Sequence, residues 1–161
     1  FLDIYHKFST DKSKKNEILK IGNAIQLLKV GNELPEITFI DKNKNLISST
    51  CLAKKKTVIF FWTKNLVSHY IAAHKKIAYL KSKYPEYQFV GINLDKNQDD
   101  WNIALSKYKF EGIIELRSND FEDIKSKWAI MKVHRAIILN SDGKIKTAFT
   151  NIFNVDFEKN L

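Results

Sequence analysis

The stretch that most constrains this chain is "TVIFFW", Thr57 to Trp62, an unbroken run of β-branched and aromatic residues. A strand of that make-up has no side left to face water, so it belongs in the middle of a sheet covered on both faces. The residues that follow fit this placement. Leu66, Tyr70, Ala73, Ile77, Leu80 and Tyr84 recur at spacings of three and four, which is helical, and Pro85 ends the pattern.

The rest of the chain extends the same theme. Residues 1–13 form a polar lead-in, and Lys14 to Val30 carry Ile18, Ile21, Ile25 and Leu28 at helical spacing, with Gly31-Asn32 as the expected cap. "LPEITFID" alternates from Ile37 through Ile40 and reads as a strand, "KNKN" as a turn and "LISS" as the returning strand. "YQFVGINLD" is a second buried strand. "NQDDWNIALSKY" is a helix with acidic residues in its first turn, where the helix dipole favours them. "FEDIKSKWAI" is a further short helix. "HRAIILN", the turn "SDGK" and "IKTAFTNIF" make a hairpin, with Asp142-Gly143 supplying the turn chemistry. The order is β-β-β-α-β-α-α-β-β, with a closing helix expected from "VDFEKNL". These elements predict an α/β fold, a central mixed β-sheet flanked by helices. The expected division is a helical arm over residues 1–30 and one sheet domain over residues 31–161.

Composition narrows the function classes. With 161 residues, 44% of them hydrophobic, the chain can bury one substantial core. No stretch approaches eighteen apolar residues, so no transmembrane segment is expected. The first residue is Phe1, not Met, and the expectation is a processed or trimmed piece of something longer. The net charge of +9 invites a nucleic-acid reading, but Arg117 and Arg135 are the only arginines. Arginine makes the bidentate phosphate and guanine contacts, so scattered lysines argue for a solvated surface and against a nucleic-acid partner. Cys51 is the single cysteine and has no intramolecular disulfide partner.

Several segments, taken in order, resemble one family. "VGNELPEITFID" resembles the opening signature of the TlpA/ResA-like branch of thioredoxin-fold proteins, which borders the peroxiredoxin-like branch. "TVIFFWTKNLVSHY" is similar to that branch's "vvlnFWAtWCxxC" segment, "FVGINLD" to its next strand, and "WAIMKVHRAIILNSDGKI" to "Y-x-V-x-x-x-P-T-x-x-L-I-D-x-D-G-x-I". The resemblance implies a thioredoxin-like fold over Val30 to Phe153. It places the nucleophilic cysteine on Leu66, the resolving cysteine on His69 and the cis-proline on His134. All three positions are substituted. The peroxiredoxin pattern, Thr-x-x-Cys, fails as well, because Thr63 is followed by Lys64, Asn65 and Leu66. Thiol-disulfide exchange needs a thiolate, and Leu66 has no ionisable group.

The leading expectation is therefore a redox-inactive, non-catalytic binding or scaffolding module. The resemblance implies a protein or peptide partner held in a groove lined by Trp62, Lys64, Asn65, Leu66, His69, His134 and Arg135. It also implies a cell-envelope setting, often periplasmic. No cofactor is expected, and the sequence is silent on oligomeric state. A second reading is a thiol oxidoreductase or peroxidase using Cys51, although a small cysteine before a central strand more often packs than reacts. The third is metal binding by His69 and His134, which the fold would bring together. His74 lies five residues beyond His69, about 140° around the helix, and is expected to face elsewhere. Trp101 and Trp128 are expected to pack on the sheet.

Overall fold

A computed structural model describes residues 12–161, so most of the expected lead-in lies outside the described residues. Seven strands form one mixed sheet in the order β2-β1-β5-β4-β3-β6-β7. They are β1 (Thr38–Asp41), β2 (Leu46–Ser48), β3 (Thr57–Trp62), β4 (Gln88–Asn93), β5 (Ile114–Ser118), β6 (Arg135–Leu139) and β7 (Ile145–Asn151). The α-helices are α1 (Lys12–Leu27), α2 (Val67–Lys83), α3 (Gln98–Lys107) and α4 (Phe121–Trp128). Strands β3, β4 and β5 run parallel, while β6 pairs antiparallel with β3 and then with β7. The β1–β2 hairpin joins antiparallel to β5.

All six residues of β3 are buried, as its composition requires. The twofold periodicity of the strand then sorts them. Ile59 and Phe61 join a cluster that includes Ala24 of α1, Leu28 just beyond its end, and Ile124 and Trp128 of α4. Val58, Phe60 and Trp62 join the opposite cluster, with Tyr70, Ala73, Ile77 and Leu80 of α2 and Trp101 of α3. Strand β6 divides the same way, Ile137 and Leu139 to the first face, Ala136 and Ile138 to the second. Local signals set the helix starts. The Asn97 side chain accepts from the Asp99 amide at 2.9 Å to open α3, and Asp120 accepts from the Glu122 amide at 2.9 Å to open α4.

Gly143 forms the β6–β7 turn with φ at 79°, and a Cβ there would sit 2.5 Å from the Ala53 carbonyl oxygen. Both the backbone angle and the lack of space require glycine.

Four elements depart from expectation. Strand β5 replaces an expected connection between two helices; its charged Glu115 and Arg117 conceal a strand that pairs with β1 on one side and β4 on the other. Helix α1 ends at Leu27, and Gly31, at φ 87°, is not its cap. Instead the Gly31 amide donates to the Ile145 carbonyl at 2.8 Å and carries the chain onto β7. The closing helix is a single 3₁₀ turn, Phe157–Asn160, anchored by buried Phe157. Cys51 lies in another 3₁₀ helix, Ser49–Lys54, and is exposed where packing was expected. Three residues per turn put Ser49 and Leu52 on the buried side and turn Cys51 outward.

Candidate functional site

Strand β3 delivers the chain to the β3–α2 junction, where Leu66 occupies the N-cap position of α2. Leucine has no side-chain acceptor, and no side-chain cap bond forms there. Leu66 is 48% exposed and Val67 46%, with Asn65 and Ser68 also exposed. The end of the helix therefore presents apolar side chains to solvent where the resemblance would place a thiolate.

The structure brings His69 and His134 together, as the resemblance implied. Their ring centres lie 5.9 Å apart, and Phe153 meets the His69 ring edge-on at 5.4 Å. His69 is partly buried, yet Nδ1 and Nε2 are both shielded and neither has a hydrogen-bond partner. Burial, then the neighbouring His134 and His74, lower its pKa from the usual 6.5, so the ring is neutral at pH 7. His134 itself is exposed just before β6, and its carbonyl accepts from the Ile152 amide at 3.1 Å. Every peptide bond among the described residues is trans, Val133–His134 included. This is the expected outcome for a loop without proline.

The other expected groove residues divide. Trp62 is fully buried and does not line a surface; its ring packs 4.5 Å from Tyr70, and its Nε1–H donates to Glu115 Oε2 at 3.0 Å. Lys64 is held by two carboxylates of a neighbouring loop and helix. Its ammonium pairs with Asp100 in the first turn of α3, and its amide donates to Asp95 Oδ2 at 2.7 Å. Arg135 is partly buried and serves two backbone acceptors, the carbonyls of Ala129 and Ala148, while its guanidinium lies 4.3 Å from the Phe149 ring centre. Ala129 is the left-handed residue that ends α4, so Arg135 fixes that helix end to β7. Burial lowers the Arg135 pKa to about 10, which leaves it cationic. Beside it opens a hollow of about 430 Å³, lined by Ile21, Ile25, Met131, His134, Arg135 and Phe149 among others.

Sequence reasoning missed a polar cluster directly behind the histidine pair. His74 is fully buried, its Nδ1 2.8 Å from the Tyr70 carbonyl and its Nε2 2.9 Å from Glu115 Oε1. A carbonyl only accepts, so Nδ1 carries a proton, and Nε2 shares a second proton with the Glu115 carboxyl group. Glu115 Oε2 takes the Trp62 indole N–H, so each polar group in the cluster has a partner. Gly91 leaves room for this carboxylate, since a Cβ there would lie 2.8 Å from Oε2. Both His74 nitrogens are occupied, so the cluster braces the sheet and leaves no free base for catalysis. The signal was present in the helix pattern, because His74 falls four residues after Tyr70 and three before Ile77, on the buried stripe.

With no second thiol, this arrangement cannot pass through a disulfide within the domain. Among the described residues no cluster of three or more metal-ligating side chains forms, and no helix is long and apolar enough to cross a membrane. Residues 54–145 match the family model described as thioredoxin-like. No curated protein matches the chain. Among solved structures, a protein from Bacteroides vulgatus described as a thiol-disulfide oxidoreductase aligns with a TM-score of 0.72 at 22% identity, over 82% of this chain and 94% of that one. A thioredoxin-like protein from Bacteroides caccae aligns at 0.72 with 14% identity, over 94% of this chain and 56% of that one. A thiol-disulfide oxidoreductase from Bacteroides fragilis aligns at 0.62 with 17% identity, over 78% and 93%. At these identities the structural likeness speaks for fold alone. The family match spans more than half of the sequence, and the chain belongs to the thioredoxin-like family.

Proposed function

We propose that the domain is a non-catalytic binding module that receives a protein or peptide partner on the face where its relatives' fold carries redox chemistry. One observation supports this most: exposed apolar side chains adjoin the two histidines, with Met131 and Phe149 lining the hollow beside His134, Phe153 against His69, and Leu66 and Val67 opening the helix that carries His69. Met131 is 61% exposed, Phe149 53% and Phe153 43%, in addition to Leu66 and Val67. Exposed apolar groups that line a hollow mark interaction sites more often than scattered ones do. Asn65 and His134 add polar contact points to the same face, and Lys132 and Arg135 add positive charge. The resemblance to TlpA-like proteins supports a cell-envelope setting for this binding.

The experiment is an amide-shift titration of the labelled domain with extended peptides that alternate apolar and polar side chains. The reading expects shifts concentrated at residues 64–69, 131–135 and 149–153, and their loss in Leu66→Asp and Phe149→Asp. Shifts mapping to the opposite end of the sheet, or no shifts with any peptide, would refute it.

A further inference from the structure

His69 is a partly buried side chain whose ring lacks protein partners. Both of its ring nitrogens are shielded from water, and neither meets a donor or acceptor of the protein. Buried polar groups are nearly always paired, and each one left unmet costs about 1–3 kcal/mol. An ion is among the few partners that account for such a group. A neutral imidazole carries a proton on one nitrogen and keeps a free lone pair on the other.

The spacing to His134 is that of two ligands on one ion. A metal–imidazole bond of about 2.0–2.1 Å, plus about 1.1 Å from nitrogen to ring centre, puts each ring centre about 3.2 Å from the metal. Two such rings have centres about 5.2 Å apart at a tetrahedral angle and about 6.4 Å apart when collinear with the metal. The observed 5.9 Å falls between these limits. No carboxylate or thiolate joins the pair among the described residues, so the protein offers two imidazole rings and an apolar wall at Phe153. That donor set suits a low coordination number. It also favours a singly charged ion, because the cost of moving charge out of water rises steeply with the charge. Imidazole is a good ligand for copper, and filled-shell Cu(I) imposes no preferred geometry.

We propose that His69 and His134 form a two-imidazole site for monovalent copper. Exposed Cys51 is a soft competing ligand, so the test uses the Cys51→Ser domain, with Cu(I) supplied anaerobically as its bicinchoninate complex. The Cys51→Ser protein is expected to withdraw one equivalent of copper, with the His69 and His134 ring resonances shifting and those of His74 unchanged. Adding His69→Phe or His134→Ala should weaken uptake by more than about tenfold, since even outer-shell changes cost that much at metal sites. His134 is exposed, so its replacement tests the site without disturbing the core. Uptake that vanishes with Cys51→Ser alone, or that persists in both histidine variants, would overturn the proposal. Zinc binding at the pair tighter than copper binding would overturn the choice of ion.

Discussion

Leu66 stands where the resemblance places a nucleophilic cysteine, and the same side chain leaves the second helix uncapped. A leucine at the N-cap satisfies none of the free amides of the first turn. Leu66→Asp supplies an acceptor and a negative charge at the positive helix end, and should raise stability by about 0.5–1 kcal/mol. For a domain of this size that corresponds to roughly 2–4 °C per kcal/mol in the melting midpoint. The same change should weaken peptide binding, because it puts a charge in the apolar face. A lower midpoint would contradict the helix start assigned here. His69 carries a second prediction. The fold lowers its pKa below 6.5, so as pH falls the unfolded chain takes up the proton first. The stability linked to His69 is thus complete above about pH 6.5 and is lost as pH drops towards the folded value. With a metal chelator present, the melting midpoint of the wild type should fall more between pH 7 and pH 5 than that of His69→Phe. Equal falls would contradict the burial of this imidazole.

At the level of elements, the buried His74–Glu115–Trp62 cluster ties α2 and β3 to β5 across the sheet. Its test is a pair of substitutions at one position. In Glu115→Gln the amide oxygen still accepts from Trp62, and the amide N–H donates to His74 Nε2, so each group keeps a partner. In Glu115→Ala both Trp62 and His74 lose one, at about 1–3 kcal/mol for each buried group. Denaturant midpoints should rank wild type and Glu115→Gln close together and Glu115→Ala well below. A Glu115→Gln variant as unstable as the alanine variant would show that the charge matters more than the hydrogen bonds.

Across the whole molecule, what was legible in the sequence was what periodicity encodes. The six buried residues of β3, the stripe of α2 and the glycine turn of the last hairpin all follow from spacing and residue type. The order of the segments led to the family and to the meeting of His69 and His134. Pairings between distant charged residues were not legible. Glu115 reads as a loop or surface residue because its partners, His74 and Trp62, lie far away in sequence, and that charge concealed β5 as well. The partners of Lys64 were hidden for the same reason, since Asp95 and Asp100 belong to another loop and helix. Trp62 is not a groove residue, and its place at the end of a fully buried strand already argues for the interior.

The central claim is that this thioredoxin-like fold performs no thiol-disulfide exchange, and disulfide turnover measures it most directly. Reduction of insulin by the wild type and by Cys51→Ser, with dithiothreitol as electron source, should match the uncatalysed rate in both. Turnover above that background in the Cys51→Ser protein would contradict the account, because no sulfur nucleophile would then remain to explain it.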